Sequence, residues 1–289
     1  MNQKRIVIGE EVMRKGRNYY QAINMEIKEH RSSFIVFTIL RASIIAIIIH
    51  QIYTGQYENV YLCVLTLLLL FVPSIVQVQF KIEIPPTLEI IIFCFIYAAE
   101  ILGTLNSFYN IIPFWDSILH TLNGFLAAAI GFSLIWLLND SENQKVELSP
   151  LYLCMVAFCF SMTIGVIWEF LEYGMDTLFA MDHQRDTLVH VINSRLLDPE
   201  VFGAGKSVSG IHEVVIDGQP MGLDGYLDIG LIDTMKDMFV NFIGALVFSI
   251  FGYFYAGYRN NNTIERFIPK RKDSDKDYLN PENRIKSIS

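Results

Sequence analysis

The stretch Gly165–Asp176, GVIWEFLEYGMD, closes an apolar run that begins at Leu151. Its carboxylates, Glu169, Glu172 and Asp176, recur at intervals of three and four, so on a helix they share one face within about one turn of each other. Ionisable groups at the end of a membrane helix cost several kcal/mol against lipid; they face the bundle interior and mark a site. The stretch therefore reads as a spanning helix that carries a polar, inward-looking end.

Working outward, the 289 residues are 52% apolar, and the apolar residues fall in blocks of about twenty. That is the length that crosses roughly 30 Å of hydrocarbon at 1.5 Å per residue. The expected fold is all-α, a polytopic transmembrane bundle of about six spans: 34–53, 57–78, 88–105, 115–138, 150–174 and 231–255. A basic arm (1–33) precedes the bundle (34–256), a loop (175–230) interrupts it, and a basic tail (257–289) follows. The first residues, MNQKRIVIGEEVMRKGR, lack an apolar core with a small-residue cleavage site, so the first span is expected to direct its own insertion. The four cysteines lie inside apolar blocks and none forms a Cys-x-x-Cys pair, which argues against a metal or redox motif.

The formal charge of −8 speaks against a nucleic-acid partner, and its distribution sets the topology. Residues 1–33 hold seven Lys/Arg against four acids and residues 257–289 hold eight against five, whereas 174–230 hold nine acids against Arg185, Arg195 and Lys206. Lys and Arg flanking the spans mark the inner side, so both termini are expected in the cytoplasm and the acidic loop outside.

Local signals refine this outline. NYYQAINMEIKEH fits an amphipathic helix or a solvated arm. Arg41 in the first span is expected to snorkel to the inner interface, and Pro73 to kink the second. Pro85-Pro86 should interrupt helix, with Thr87 capping the third span, while Ser149-Pro150 makes a cap and first turn for the fifth. IHEVVIDGQPMG alternates around Asp217-Gly218 and reads as a β-hairpin. Asp182, His183, Arg185 and Asp186 read as a solvated or salt-bridged surface. The tail from Arg259 is polar enough to be disordered.

Polar groups in the spans repeat the pattern of the opening stretch. Asp116 and His120 lie four apart in the fourth span; Asp233, Asp237 and Asn241 form a stripe down the sixth; Glu100 sits in the last turns of the third. Under the inside-inside topology all fall at the outer ends of their helices, which predicts one shared, outward-opening cavity. Carboxylates so confined need a cation or protons between them. An oxygen-rich set with one imidazole suits Mg²⁺, Mn²⁺ or Ca²⁺, and Zn²⁺ less well. Glu169, Glu172, Asp233 and Asp237 are the expected metal ligands, with Glu100, Asp176 and Asn241 completing the pocket. If the site is catalytic, it suits a metal-dependent hydrolase or transferase acting on a lipid phosphate, with His120 as acid/base and Asp116 orienting its ring. The alternatives are an ion-coupled transporter and a structural or partner-binding membrane protein.

At these same residues the chain resembles bacterial inner-membrane proteins of the uncharacterised YjdF-type family and, more distantly, the VanZ-like family associated with glycopeptide resistance. The matching elements are WDSILH, WEFLEYGMD and DTMKDMFVNFIGA, within roughly Leu88–Tyr255. VanZ-like proteins place a Lys directly after the first Asp, where this chain has Ser117. The resemblance implies a multi-pass protein of the bacterial cytoplasmic membrane with the lipid bilayer as partner, and the VanZ-like similarity implies cell-envelope chemistry.

Overall fold

A computed structural model describes residues 30–80, 82–139, 148–197, 205–258 and 264–271 of the protein. Six helical stretches are long and apolar enough to cross a membrane, as the spacing of apolar blocks predicts. The first span is α1 (Arg31–Thr54), which Gly55 ends with φ +76°; the Gln56 N–H reaches back to the Gln51 carbonyl at 3.0 Å, closing the last turn. The second is broken into α2 (Tyr57–Leu69) and α3 (Val72–Phe80). Pro73 lies just past the break, where its missing N–H and its ring prevent a continuous ladder.

After the short strand β1 (Ile82–Glu83), α4 runs over Pro86–Tyr97. Pro86 is its first residue and Pro85 its N-cap, with no side-chain cap, so the expected Thr87 cap is replaced. Proline's fixed φ suits the first helical turn, where its absent N–H leaves nothing unpaired. The third span finishes as a π-helix over Ala98–Leu105, and the Asn106 N–H donates to the Ile101 carbonyl at 3.0 Å. The widened turn contains Glu100. A short α5 (Phe108–Ile111) leads to α6 (Trp115–Asn139).

The fifth span, α7, covers Pro150–Phe179, and Ser149 Oγ accepts from the Tyr152 N–H at 3.3 Å, the cap its sequence calls for. It runs five residues beyond the expected end, so Asp176 belongs to the helix and not to the loop. The sixth span is α8 (Leu231–Tyr258). Between them, β2 (Thr187–Val189) pairs with β7 (Tyr226–Asp228), β3 (Val191–Ser194) with β4 (Lys206–Ser209), and β5 (Val215–Ile216) with β6 (Gln219–Pro220). The last pair is the expected hairpin: Asp217 and Gly218 have φ +52° and +79°, a turn with both central residues left-handed.

Spans four, five and six pack most extensively on one another. Small residues permit this. A Cβ on Gly124 would lie 2.1 Å from the Asn241 carbonyl oxygen, and one on Gly244 1.9 Å from that of Thr121, so α6 and α8 touch backbone to backbone. Spans four, five and six enclose an apolar core of Ala128, Phe132, Leu153, Ala157, Ala245 and Phe248. A second core, with Ile44, Cys63, Leu70, Phe93 and Ile101, joins the first three spans.

The ends of the bundle add two details. The Arg41 guanidinium lies over the rings of Phe37 and Phe71, at 5.0 and 4.3 Å from their centroids, a favourable use of a cation among aromatic faces. The tail is ordered over 264–271: β8 (Lys270–Arg271) pairs antiparallel with β1, and Ile268 is buried in the core under α6 and α8. The proposed amphipathic segment of the amino-terminal arm lies outside the described residues.

Candidate functional site

Four helix ends meet at the face opposite β1 and β8. On α6, Asp116 and His120 stand one turn apart, with His120 Nε2 3.6 Å from Asp116 Oδ1. From α7, Glu169 Oε1 lies 3.9 Å from His120 Nδ1; from α8, Asp237 Oδ2 lies 3.9 Å from His120 Nε2. All four residues are buried, Asp237 to 1% exposure. The ionic contacts that Asp116, Glu169 and Asp237 make among the described residues thus converge on one imidazole.

Two overlapping groups offer donor atoms within 4.8 Å of one another: Asp116, His120 and Asp237, and His120, Glu169 and Glu172. Glu172 is held by the Trp168 indole N–H at 2.8 Å, the i,i+4 neighbour on its own helix. Glu169 Oε2 and Asp237 Oδ1 are buried with no hydrogen-bond partner, as are Trp115 Nε1 and Ser117 Oγ on the same turn as Asp116. A buried carboxylate oxygen without a donor is costly, so Glu169 and Asp237 call for a proton, a water or an ion beside them.

The remaining residues singled out from the sequence occupy a supporting ring. Asp233 accepts from the Arg185 backbone N–H at 2.9 Å, and Asp176 accepts from the N–H groups of His183 and Gln184, both at 2.7 Å. These two acids therefore anchor the segment after α7 across the helix ends, and the expected solvated surface at 182–186 is in part a clasp. Gln184 completes it through a side-chain hydrogen bond to Thr234. Asn241, 1% exposed, lies deeper: it accepts from Asn123 Nδ2 at 3.2 Å and its own amide reaches Met162 Sδ at 3.7 Å. A Cβ on Gly165 would come within 2.7 Å of that amide, so glycine makes room for it.

Glu100 joins no donor group but neighbours Tyr109, a residue the sequence did not single out. Burial, reinforced by the carboxylates of Asp116, Glu100 and Glu172, pushes the Tyr109 phenol well above its usual range, and Arg185 opposes this. The Arg185 guanidinium stacks on the Tyr109 ring at 4.9 Å. Lys236, between the two aspartates in sequence, is exposed. Tyr109, Trp115 and Asn123 lack a carboxylate pattern, and only their proximity in the fold reveals them; an i,i+7 extension of the Trp115-Asp116 stripe would have reached Asn123.

No curated protein and no solved structure matches the chain. A family model does match, over residues 35–257, which takes in all four site-bearing spans. With its six apolar helices and this match, the chain belongs to the family described as "Predicted membrane protein (DUF2238)".

Proposed function

We propose that the cluster around His120 binds a divalent cation and, through it, the phosphate of an envelope lipid. The observation that carries this reading is the set of separations. At 3.6–3.9 Å the contacts between His120 and its three carboxylates are too long for hydrogen bonds. Donors that share an ion with bonds of about 2.1 Å stand roughly 3 Å apart when adjacent and about 4.2 Å apart when opposite. The spacing on the Nε2 side of His120, to Asp116 and Asp237, fits a shared ion, and the orphaned oxygen of Asp237 supplies a further ligand position; Glu169 faces the other ring nitrogen, Nδ1.

Asp116, Asp237 and the Nε2 of His120 form the ligand set, with Glu169 and Glu172 a second group on the Nδ1 side of the ring; the oxygen content suits Mn²⁺, Mg²⁺ or Ca²⁺. Asp233 leaves the proposed set because it belongs to neither donor group around His120. Trp115 Nε1 and Ser117 Oγ, on either side of Asp116 in the chain, are buried donors without a hydrogen-bond partner. The VanZ-like resemblance at WDSILH and WEFLEYGMD favours an envelope lipid, and the basic flanks at 1–33 and 257–289 favour an outward-facing site. Below Asn241 the helices close on Phe132, Phe248 and four alanines, which supports a dead-ended pocket over a through-path.

The test is calorimetric titration of purified full-length protein in detergent with Mn²⁺, before and after addition of a polyprenyl phosphate. Saturable Mn²⁺ binding that Asp237→Asn abolishes, tightened by the lipid, is expected. Absence of saturable binding by the wild type for Mn²⁺, Mg²⁺ and Ca²⁺ alike overturns the reading; phosphate release in the same mixture would add catalysis to it.

A further inference from the structure

A second group of ligand-type side chains lies outside the spans, in the segment between α7 and α8. His190, His212 and Asp224 come from three separate stretches, and one donor atom of each lies within 4.8 Å of the others. The strand pairings bring them together. Val189 is opposite Tyr226 in the β2–β7 pair, which sets His190 beside Gly225 and hence Asp224. A backbone bond from the Ile211 N–H to the His190 carbonyl, at 3.1 Å, brings the third stretch alongside. The imidazoles end with centroids 5.1 Å apart.

The hydrogen bonds orient the rings as metal ligands are oriented. His190 Nδ1 lies 2.8 Å from the Ile211 carbonyl oxygen, an acceptor only, so the proton sits on Nδ1 and the lone pair on Nε2 is free. Fixing one ring nitrogen on a backbone carbonyl is the usual way a protein aims the other at a metal. His212 Nδ1 and Asp224 Oδ1 stand 2.7 Å apart, a hydrogen-bond contact that has to open to the roughly 3.4 Å between neighbouring donors of a tetrahedral ion with bonds near 2.1 Å. At Gly225, φ +142° and the 3.2 Å that would separate a Cβ from the Val189 carbonyl keep the backbone close enough for this approach.

We infer that His190, His212 and Asp224 bind a zinc-class divalent ion, separate from the cluster around His120. Two imidazoles and one carboxylate leave a fourth position open, and this nitrogen-rich set prefers Zn²⁺ to Mg²⁺, Mn²⁺ or Ca²⁺. The bound ion ties together stretches that otherwise share short strand pairs, so it stiffens the extramembrane segment. His212 and Asp224 are 71% and 75% exposed as side chains, which keeps the site open to ions and makes their replacement harmless to the core.

The experiment is Zn²⁺ titration of full-length protein purified without a polyhistidine tag, followed by calorimetry and by Co²⁺ visible absorption. The wild type, His190→Ala, His212→Ala and the double variant Glu169→Gln/Asp237→Asn are compared. Expected is a Zn²⁺ site that weakens about 100-fold or vanishes in each histidine variant and persists in the double variant, with four-coordinate Co²⁺ bands following the same pattern. Zn²⁺ should also slow tryptic cleavage after Lys206 in the wild type alone of the histidine set. Unchanged Zn²⁺ affinity in either histidine variant, or no Zn²⁺ site in the wild type, overturns the inference without touching the Mn²⁺ result, which reads the other cluster.

Discussion

At the scale of the residue, His120 carries the most weight, because it is the shared neighbour of carboxylates from three helices. Two opposite effects of Asp237→Asn follow. Without metal, removing one negative charge from a crowded, poorly solvated site relieves repulsion, and the chelator-treated variant should be more stable than the wild type by about 1 kcal/mol. With saturating Mn²⁺ the order should reverse, because the wild type gains stability by mass action and the variant does not. Thermal unfolding in detergent with and without Mn²⁺ checks both signs. His120→Ala should weaken Mn²⁺ by at least about 100-fold, beyond the 10–100-fold typical of changes outside the ligand shell. Asp116 and His120, Glu169 and Glu172, and Asp237 were legible as residues because charged groups inside apolar blocks have few structural uses. Asp233 and Asp176 looked alike in the sequence; their capture by backbone N–H groups of 183–185 depends on a loop path that no spacing encodes.

At the scale of the element, the site exists because α6 and α8 approach closely enough to set Asp116 beside Asp237. Gly124 and Gly244 permit that approach, with prospective Cβ contacts of 2.1 and 1.9 Å to backbone oxygens that cannot swing aside. Gly244→Ala should therefore cost about 3 kcal/mol or more, at or above the usual upper range for overpacking, and should abolish Mn²⁺ binding with it. Gly174→Ala is the control. A Cβ there meets nothing within 4 Å, so the helix should gain up to about 1 kcal/mol from alanine's higher propensity. Yield of folded protein and melting temperature in detergent separate the two. The widened π turn at Ala98–Leu105 belongs to this scale as well. It was not legible: Glu100 showed as a charge in a span, while the change in helical period depends on packing, with Gly103 pressed against the Tyr109 ring.

At the scale of the whole molecule, an even number of spans places Arg31 and Tyr258 on one side, and the structure fastens that side with the β1–β8 pair and buried Ile268. Ile268→Asp puts a charge into that core and should cost about 3 kcal/mol or more, read as a lowered melting temperature, while Mn²⁺ affinity measured below the transition stays near wild type. The basic flanks predict the orientation. Ser207→Cys should react with a membrane-impermeant maleimide in intact cells, and Arg266→Cys only after permeabilisation. The reverse pattern would place the carboxylate cluster on the cytoplasmic side and remove the envelope lipid as its ligand.

Apolar block length, the helix period of the carboxylates and the Asp-Gly turn are local properties, and the sequence by itself determined the six spans, the polar stripes and the hairpin. Which stripes share a centre was decided by tertiary structure, because it depends on how closely particular glycines let two backbones approach. The same holds for the ordered tail and for the trio His190, His212 and Asp224, each assembled by pairing between segments far apart in the chain. Those pairings depend on non-local contacts, and no short window of sequence records them.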